Sequence, residues 1–177
     1  MRTFVQTCDQ IAGTPKKLEK IRLVAAYLCS IQVAEAKVAA VFLSGRAFPI
    51  WEETTLNVGG AMLWRVVEEL SGKTDSELSA AYRRHGDLGA VASELLAAIS
   101  PTKDLSVSEV QGMFRKITAA RGPAAKRALV RELLTQVTPL EAKYIIKIMT
   151  GDLRIGLKES LVEEAIAKGF GSTLSAV

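Results

Sequence analysis

Apolar residues recur along most of the chain at intervals of three and four positions, the spacing that places side chains on one face of an α-helix. Phe4, Cys8 and Ile11 form such a stripe near the start, and Gly13 is expected to end that helix. No segment shows the sustained alternation of apolar and polar residues that is typical of a β-strand. The pattern therefore predicts an all-α protein, with roughly ten helices in a single compact domain.

Capping residues predict where several of these helices begin and end. Three capping boxes, each a Ser or Thr with Glu three residues later, start at Thr74, Ser106 and Thr138. Asp87 is expected to cap a helix that runs to Ile99. Further helices are expected at four places: from Thr14-Pro15 with Leu18 facing the core, over about residues 33–43, from an Asn57 cap to Leu70, and from Gly122-Pro123 to about Gln136.

The chain contains a candidate internal repeat. When the sequence is shifted by 106 positions, the first part aligns with the later part without a gap. Apolar faces coincide, as they would for any two amphipathic helices, but the tripeptide at Glu35 is also identical to the one at Glu141. Gly45 falls on Gly151, and these matches together favour a duplication and predict a pseudo-twofold arrangement. The two copies are approximately residues 3–46 and 109–152.

Residues 149–164 contain the strongest candidate for a binding site. Gly151 follows one apolar helical run and Gly156 precedes another, so two helices are expected to meet at a glycine-bounded turn. The free N–H groups at the start of the second helix favour an anion. Gly156 would let a large anion approach the backbone, and Arg154 adds a charge suited to phosphate. A helical hairpin with an exposed arginine explains the same residues, and both interpretations stay open.

The repeat gives this turn a counterpart in the first copy. After Arg46 a longer loop, which contains Trp51, leads to a second glycine-containing helix start at Asn57, Gly59 and Gly60. Two anion-binding turns in pseudo-twofold relation would suit duplex DNA, whose antiparallel backbones are related by a local dyad. The alternative is a duplicated helical scaffold that binds no ligand.

Composition narrows the class of protein further. The 177 residues are 49% apolar and 24% charged, a globular balance, and the net charge of +4 is compatible with a polyanionic partner without requiring one. No apolar run reaches the ~18 residues of a membrane span, and no signal peptide is visible. We therefore expect a soluble intracellular protein without membrane contact. Cys8 and Cys29 are both expected on apolar helix faces, as reduced core residues.

No active site is recognisable in the pattern. The segment Ser71-Gly72-Lys73-Thr74 resembles the end of a phosphate-binding loop, but position 67, where that motif needs glycine, is Val67. A single histidine and two distant cysteines do not form a zinc site. No catalytic residue and no metal ligand is therefore predicted.

Several short motifs follow one another in an order that is characteristic of one family. They are Gly151-Asp152-Leu153-Arg154-Ile155-Gly156 within residues 150–159, Gly86-Asp87-Leu88-Gly89, and the segments 43–49, 56–61, 114–117 and 122–127. Together they resemble the N-terminal DNA-binding domain of ATP-dependent DNA ligases of the archaeal and eukaryotic type, which also occur in some bacteria. The similarity extends over nearly the whole chain, so residues 1–177 are expected to form that domain.

The resemblance implies a helical domain that binds nicked double-stranded DNA through the minor groove and the phosphate backbone, largely by backbone amides and without sequence specificity. It also implies a monomer that surrounds DNA together with its own adenylation and OB-fold domains, which are not in this chain. The location that it implies is cytoplasmic and nucleoid-associated if the protein is prokaryotic. Asp152 departs from the family, where a basic residue often stands. The positions that match the family's main contact loop are Gly151, Asp152, Arg154, Gly156 and Lys158, and the other DNA-binding positions are Arg46, Gly59, Gly60, Lys126 and Arg127.

The resemblance also bears on the chemistry of the whole protein. Such ligases use ATP to adenylate a lysine in a Lys-x-Asp-Gly motif, transfer the adenylate to the 5′-phosphate of a nick, and seal it with magnesium. That motif is absent here, so the fragment is expected to hold no cofactor and to be inactive alone, while its parent acts in DNA replication, repair and recombination. Two other classes stay open, namely a sequence-specific helix-turn-helix protein and a helical protein-interaction scaffold with an apolar groove.

Overall fold

Ten α-helices and one short 3₁₀ turn make up the regular structure of residues 1–173, the part of the chain that the computed structural model describes. No strand is present in that part, and the all-α prediction is confirmed. The helices are α1 (Arg2–Ala12), α2 (Lys17–Cys29), α3 (Val33–Leu43), α4 (Gly60–Ser71), α5 (Asp75–His85), α6 (Leu88–Leu95), α7 (Val107–Ala119), α8 (Pro123–Gln136), α9 (Pro139–Thr150) and α10 (Glu159–Phe170), and the 3₁₀ turn is Ile50–Glu52.

The first three helices have counterparts later in the chain at a constant spacing. Shifting α1, α2 and α3 by 106 positions places each within one residue of the bounds of α7, α8 and α9. The contacts match as well, because α1 packs on α2 and α9 while α7 packs on α8 and α3. In the same way α10 packs on α2 and α4 packs on α8. The order α1–α4 is thus matched by α7–α10, whereas an origin by duplication stays a prediction.

Aromatic rings mark the place where the two sets of helices meet. The ring centroid of Phe42 lies 6.0 Å from that of Phe4 and 5.5 Å from that of Phe114. All three side chains are buried, and burying a side chain of this kind contributes roughly 1.5–3 kcal/mol. The core therefore connects α3 with α1 of its own set and with α7 of the other set.

The short helix α6 approaches α9 unusually closely. A Cβ atom at Gly89 would lie 2.5 Å from the carbonyl oxygen of Lys143 and 3.0 Å from Cγ of Lys147. No side chain fits in that space, so the contact depends on glycine at this position. Through it, α6 and the turn that precedes it are fixed against the helix that ends at Gly151.

The local signals for helix ends are confirmed at several positions. Thr74, Ser106 and Thr138 each accept a hydrogen bond from the N–H of the glutamate three residues later. The carboxylate of that glutamate in turn accepts a hydrogen bond from the N–H of the capping residue. Asp87 accepts a hydrogen bond of 2.8 Å from the N–H of Ala90. Gly151 ends α9 with a left-handed φ of 73°. These ends are set by groups within a few residues of one another, which is why the pattern alone locates them.

Other predicted helix bounds are wrong. Helix α2 begins at Lys17 instead of Thr14-Pro15, and Leu18 is 71% exposed because its position on the first turn faces solvent. Helix α4 begins at Gly60, since Asn57 has a left-handed φ of 50° and not the extended conformation of an N-cap. The helix capped by Asp87 ends at Leu95, short of Ile99.

The two cysteines lie in different environments. Cys8 is buried as predicted, and burial together with the neighbouring Asp9 carboxylate raises the pKa of its thiol. The prediction for Cys29 is wrong, because this residue is the last of α2 and is exposed. Its sulfur lies 3.2 Å from the carbonyl oxygen of Gly169 in α10. In residues 1–173, no helix has both the length and the apolar character needed to cross a bilayer.

Candidate nucleic-acid interface

The two glycine turns predicted from the repeat lie side by side. Gly45 follows α3 with φ of 79°, and Gly151 follows α9 with φ of 73°. A Cβ atom at Gly45 would lie 3.6 Å from the carbonyl oxygen of Gly151, and the reverse distance is 3.9 Å. The backbones of the two turns are therefore in direct contact, and the loops that follow them leave from one place on the surface.

Arg46 joins the first turn to the start of the last helix. Its guanidinium makes a two-pronged ion pair with Glu159, with 3.1 Å between Nη2 and Oε2. Glu159 is the first residue of α10, so its carboxylate also lies at the positive end of the helix dipole. A phosphate that approached Arg46 would therefore have to displace or share this carboxylate.

The loop between α9 and α10 is held by two buried lysines that bind its carbonyl groups. Nζ of Lys20 lies 2.8 Å from the oxygen of Ile155 and 2.9 Å from that of Gly156. Nζ of Lys147 lies 3.2 Å from the oxygen of Leu153. These three carbonyl groups therefore point toward the protein interior.

The same loop presents its N–H groups on the other side. Its peptide bonds are trans, and in a trans peptide the N–H of the next residue points opposite to the carbonyl. The N–H groups of Arg154, Gly156 and Leu157 therefore point outward. None of the three donates to an acceptor within residues 1–173. This is an array of free donors of the kind that binds oxyanions.

Gly156 has a structural reason to be glycine. Its φ is 63°, and a Cβ atom would lie 2.6 Å from Nζ of Lys20. The α10 helix begins three residues later, at Glu159, so Gly156 belongs to the loop and not to the helix start. Close approach of an anion at this glycine stays a prediction.

Arg154 and Asp152 bind each other on the surface of the loop. Nε of Arg154 lies 2.7 Å from Oδ2 of Asp152, and Nη1 lies 2.7 Å from the carbonyl oxygen of Gly86. The hydrogen bond that Arg154 donates to the Asp152 carboxylate raises the pKa of the Arg154 guanidinium. Arg154 thus bridges its own loop and the turn between α5 and α6, with its charge exposed to solvent.

The first-copy residues lie on the same surface. Gly59 is the N-cap of α4, and the N–H groups of Gly60 and Ala61 have no acceptor within residues 1–173. An open cavity of about 800 Å³ is lined by residues of both turns, and a second of about 410 Å³ adjoins it at Thr150. The first includes Arg46, Gly59 and Gly151, and the second includes Gly60, Asp152 and Arg154.

The remaining predicted positions differ in their surroundings. Lys158 is the exposed N-cap of α10 and makes no ion pair with any of the described residues. Nζ of Lys126 lies 3.4 Å from the carbonyl oxygen of Leu56, and Arg127 forms an ion pair of 3.4 Å with Glu69. The basic pair on α8 is thus already engaged within the protein.

Comparison with known sequences identifies the family. The profile described as "DNA ligase N terminus" matches residues 1–167. The chain belongs to the DNA ligase N-terminal domain family. The resemblance seen in the sequence motifs is thereby confirmed at the level of the family.

Relatives of this DNA ligase N-terminal domain come from bacteria and archaea. A probable DNA ligase of Koribacter versatilis is 53% identical over 178 residues, which cover 100% of this chain and 31% of the relative. A probable DNA ligase of Opitutus terrae is 39% identical, with 98% of this chain and 20% of the relative covered. A DNA ligase of Methanopyrus kandleri is 36% identical, with 96% and 32% covered. The chain thus spans about a third or less of these relatives.

The sequence pattern did not indicate the residues that support the loop between α9 and α10. Lys20, Lys147 and Glu159 were not singled out, although each contacts a predicted position or the loop that contains it. One signal was present, because Lys20 aligns with Lys126 in the 106-residue shift. The Gly-Asp-Leu-Gly motif at residues 86–89 also supports the loop, through the Gly86 carbonyl that binds Arg154 and the Asp87 carboxylate that binds Lys147 at 2.7 Å.

Proposed function

We propose that this domain binds nicked double-stranded DNA through the phosphate backbone and the minor groove, without sequence specificity. The observation that supports this most directly is the array of outward N–H groups in the loop before α10, beside a second set at the start of α4. Backbone amides bind phosphate oxygens and do not distinguish bases. Their position on one surface of a DNA ligase domain favours a DNA backbone as the ligand.

The chemistry of the surface favours this function over base recognition. A helix-turn-helix protein needs several polar side chains along a helix that enters the major groove. Here the exposed groups are glycine backbones, N–H groups at loop and helix ends, and the guanidinium of Arg154. These groups contact phosphate and sugar in any sequence, as the sealing of nicks at arbitrary positions requires.

We further propose that the whole protein is an ATP-dependent DNA ligase in which this domain holds DNA for separate adenylation and OB-fold domains. The relatives that cover this chain are named DNA ligase or probable DNA ligase, and they are about three to five times its length. ATP would supply the adenylate that activates the 5′-phosphate, and magnesium would support its transfer. Because the resemblance assigns this chemistry to the catalytic domains, both are expected to bind there and not in this domain. Replication, repair and recombination are the settings that such an activity serves.

Arg154→Ala is expected to weaken binding of all duplex sequences about equally, because it removes one phosphate-binding charge. If Arg154 neutralises one phosphate, the negative slope of log K against log salt should become less steep by about 0.9 in the variant. The measurement is fluorescence anisotropy of a labelled nicked duplex at two or more salt concentrations, repeated with a second sequence. Arg22→Ala is the matched control, since Arg22 is also exposed and paired with a nearby carboxylate, at 2.6 Å from Glu19.

The outcomes separate the competing functions. Loss of affinity for only one of the two sequences would favour a base-reading protein. No binding by the wild type, even at low salt, would contradict the proposed function and favour a protein-interaction scaffold. Equal losses in Arg22→Ala and Arg154→Ala would show that only total charge matters.

Asp152→Asn is expected to strengthen binding several-fold. The substitution removes a negative charge close to the proposed phosphate position and frees the Arg154 guanidinium from its ion pair. The same anisotropy titration measures the change. Unchanged affinity would indicate that the Asp152–Arg154 pair lies away from the DNA.

A further inference from the structure

Two lysines occupy equivalent places in the two sets of helices. Lys20 is the fourth residue of α2 and Lys126 is the fourth residue of α8, and they coincide in the 106-residue shift. Each binds a loop that is distant in sequence, by 135 residues for Lys20 and 70 for Lys126. A buried or half-buried lysine that binds only carbonyl oxygens is unusual, because its charge is not paired with a carboxylate.

The carbonyl groups that they bind are also equivalent. Ile155 precedes the first residue of α10 by four positions, and Leu56 precedes the first residue of α4 by four positions. The next residue has a left-handed backbone in both loops, with φ of 63° at Gly156 and 50° at Asn57. The same bend, held by the same type of side chain, therefore comes before both helices.

This arrangement determines where the N–H groups point. Each ammonium holds a carbonyl toward the protein, and the following N–H, of Gly156 or Asn57, turns to the opposite side. Neither N–H has an acceptor within the part of the chain that the structure describes. Lys20 is only 7% exposed and lies behind the backbone, so its ammonium cannot reach a ligand in front of the loop.

We propose that Lys20 and Lys126 are positioning residues, which fix the two loops with their N–H groups toward DNA and do not contact phosphate themselves. This inference rests on the proposed function and assigns to Lys126 a role different from direct DNA contact. An ammonium group suits this positioning role, because the group is compact and offers three donors. Lys20 can therefore bind two adjacent carbonyl groups at once. Removing the ammonium group should release the bend, and the N–H groups of the loop would then no longer be held in one orientation.

The test compares Lys20→Met and Lys126→Met with Lys158→Met in the same domain. Methionine keeps most of the aliphatic length and removes the charge and the donors. Lys158 is exposed and free of ion pairs among the described residues, which makes it the matched variant for a direct phosphate contact. Lys126 is less buried than Lys20, so Lys126→Met remains informative if Lys20→Met does not fold.

Affinity for a nicked duplex is measured as a function of salt at a temperature where circular dichroism shows each variant folded. Lys20→Met and Lys126→Met should bind several-fold more weakly with an unchanged salt slope. In Lys158→Met the negative slope of log K against log salt should become less steep by about 0.9, as expected for the loss of one phosphate contact. A slope reduced by that amount in Lys126→Met would overturn the proposal, as would unchanged affinity in both positioning variants.

A second measurement needs no DNA. In ¹H–¹⁵N spectra, Lys20→Met should shift the amide signals of Gly156 and Leu157, and Lys126→Met should shift that of Asn57, while signals from α5 stay in place. Unshifted loop amides would overturn the positioning role. If the wild type binds no duplex, the proposed function is wrong, and the amide shifts alone decide whether these lysines set the loops.

Discussion

Gly89→Ala is expected to lower the free energy of unfolding by about 3 kcal/mol, a large part of the ~5–15 kcal/mol that stabilises a typical domain. The added methyl group would lie 2.5 Å from the Lys143 carbonyl oxygen, and backbone atoms cannot move aside as the end of a side chain can. Helix α6 would have to shift away from α9. Denaturant unfolding followed by circular dichroism measures the change.

Gly112→Ala is the control for this prediction. Gly112 lies in the interior of α7, and a Cβ atom there meets nothing within 4 Å. Alanine has the higher helix propensity, so this substitution should stabilise the domain by roughly 0.5–1 kcal/mol. The two substitutions are chemically identical and should act in opposite directions. A Gly89→Ala variant as stable as the wild type would mean that α6 and α9 are not in such close contact.

Lys147→Met is expected to cost about 3 kcal/mol or more, because it leaves the Asp87 carboxylate buried without its partner. The side chains of Lys147 and Asp87 are only 9% and 12% exposed, with 2.7 Å between Nζ and Oδ2. The Leu153 carbonyl would lose its donor as well. Thermal and denaturant unfolding of the variant give the loss of stability.

Lys143→Met is the matched control on the same helix. Lys143 pairs with Asp9 at 2.9 Å, but these side chains are 24% and 44% exposed. Water solvates such exposed charges, so the loss of the Lys143–Asp9 ion pair should lower the free energy of unfolding by only about 0–1 kcal/mol. Equal costs for the two variants would contradict the view that burial makes the Lys147–Asp87 pair important.

The pH dependence of stability provides a second check on this pair. Burial acts to raise the pKa of Asp87, but hydrogen bonds from Lys147 and from the Ala90 N–H, with the nearby positive charges, outweigh it and lower the pKa below its usual value. A lowered pKa in the folded state contributes stability above the ordinary pKa, and this contribution is lost as the pH falls through the folded value. The stability gap between wild type and Lys147→Met should therefore shrink below about pH 4. A constant gap down to about pH 3 would contradict it.

Features that depend on neighbouring residues could be predicted from the sequence. The capping boxes at Thr74, Ser106 and Thr138 and the glycine that ends α9 each involve groups within one turn, and all are confirmed. The positions of α7, α8 and α9 relative to the first three helices also followed from the aligned apolar stripes. Local hydrogen bonds and helical periodicity thus locate most of the helices along the chain.

Features that depend on distant contacts could not be predicted in this way. Leu18 continues an apolar stripe, yet whether a first-turn residue is covered depends on which helix packs beside it. Asn57 has a side chain that could cap a helix. However, Lys126 binds the carbonyl oxygen of the preceding residue, Leu56, and the chain bends at Asn57 instead. For the candidate interface, the sequence indicated Gly151 and Arg154, whose role in binding stays a prediction. The carbonyl group that Lys20 binds lies 135 residues away along the chain. No local pattern indicates which backbone carbonyl a lysine will meet.

The two connecting loops differ in length, so the two sets of helices are not equivalent at the candidate interface. From Gly45 to the start of α4 the chain is seven residues longer than from Gly151 to the start of α10. The extra residues carry the exposed Trp51, beside Glu52, which binds Arg115 at 2.8 and 2.9 Å. Two identical halves would fit a duplex equally well facing either way. A nick has a 3′-hydroxyl on one side and a 5′-phosphate on the other. If the domain binds a nick as proposed, the longer loop would give its binding surface a polarity that two identical halves lack.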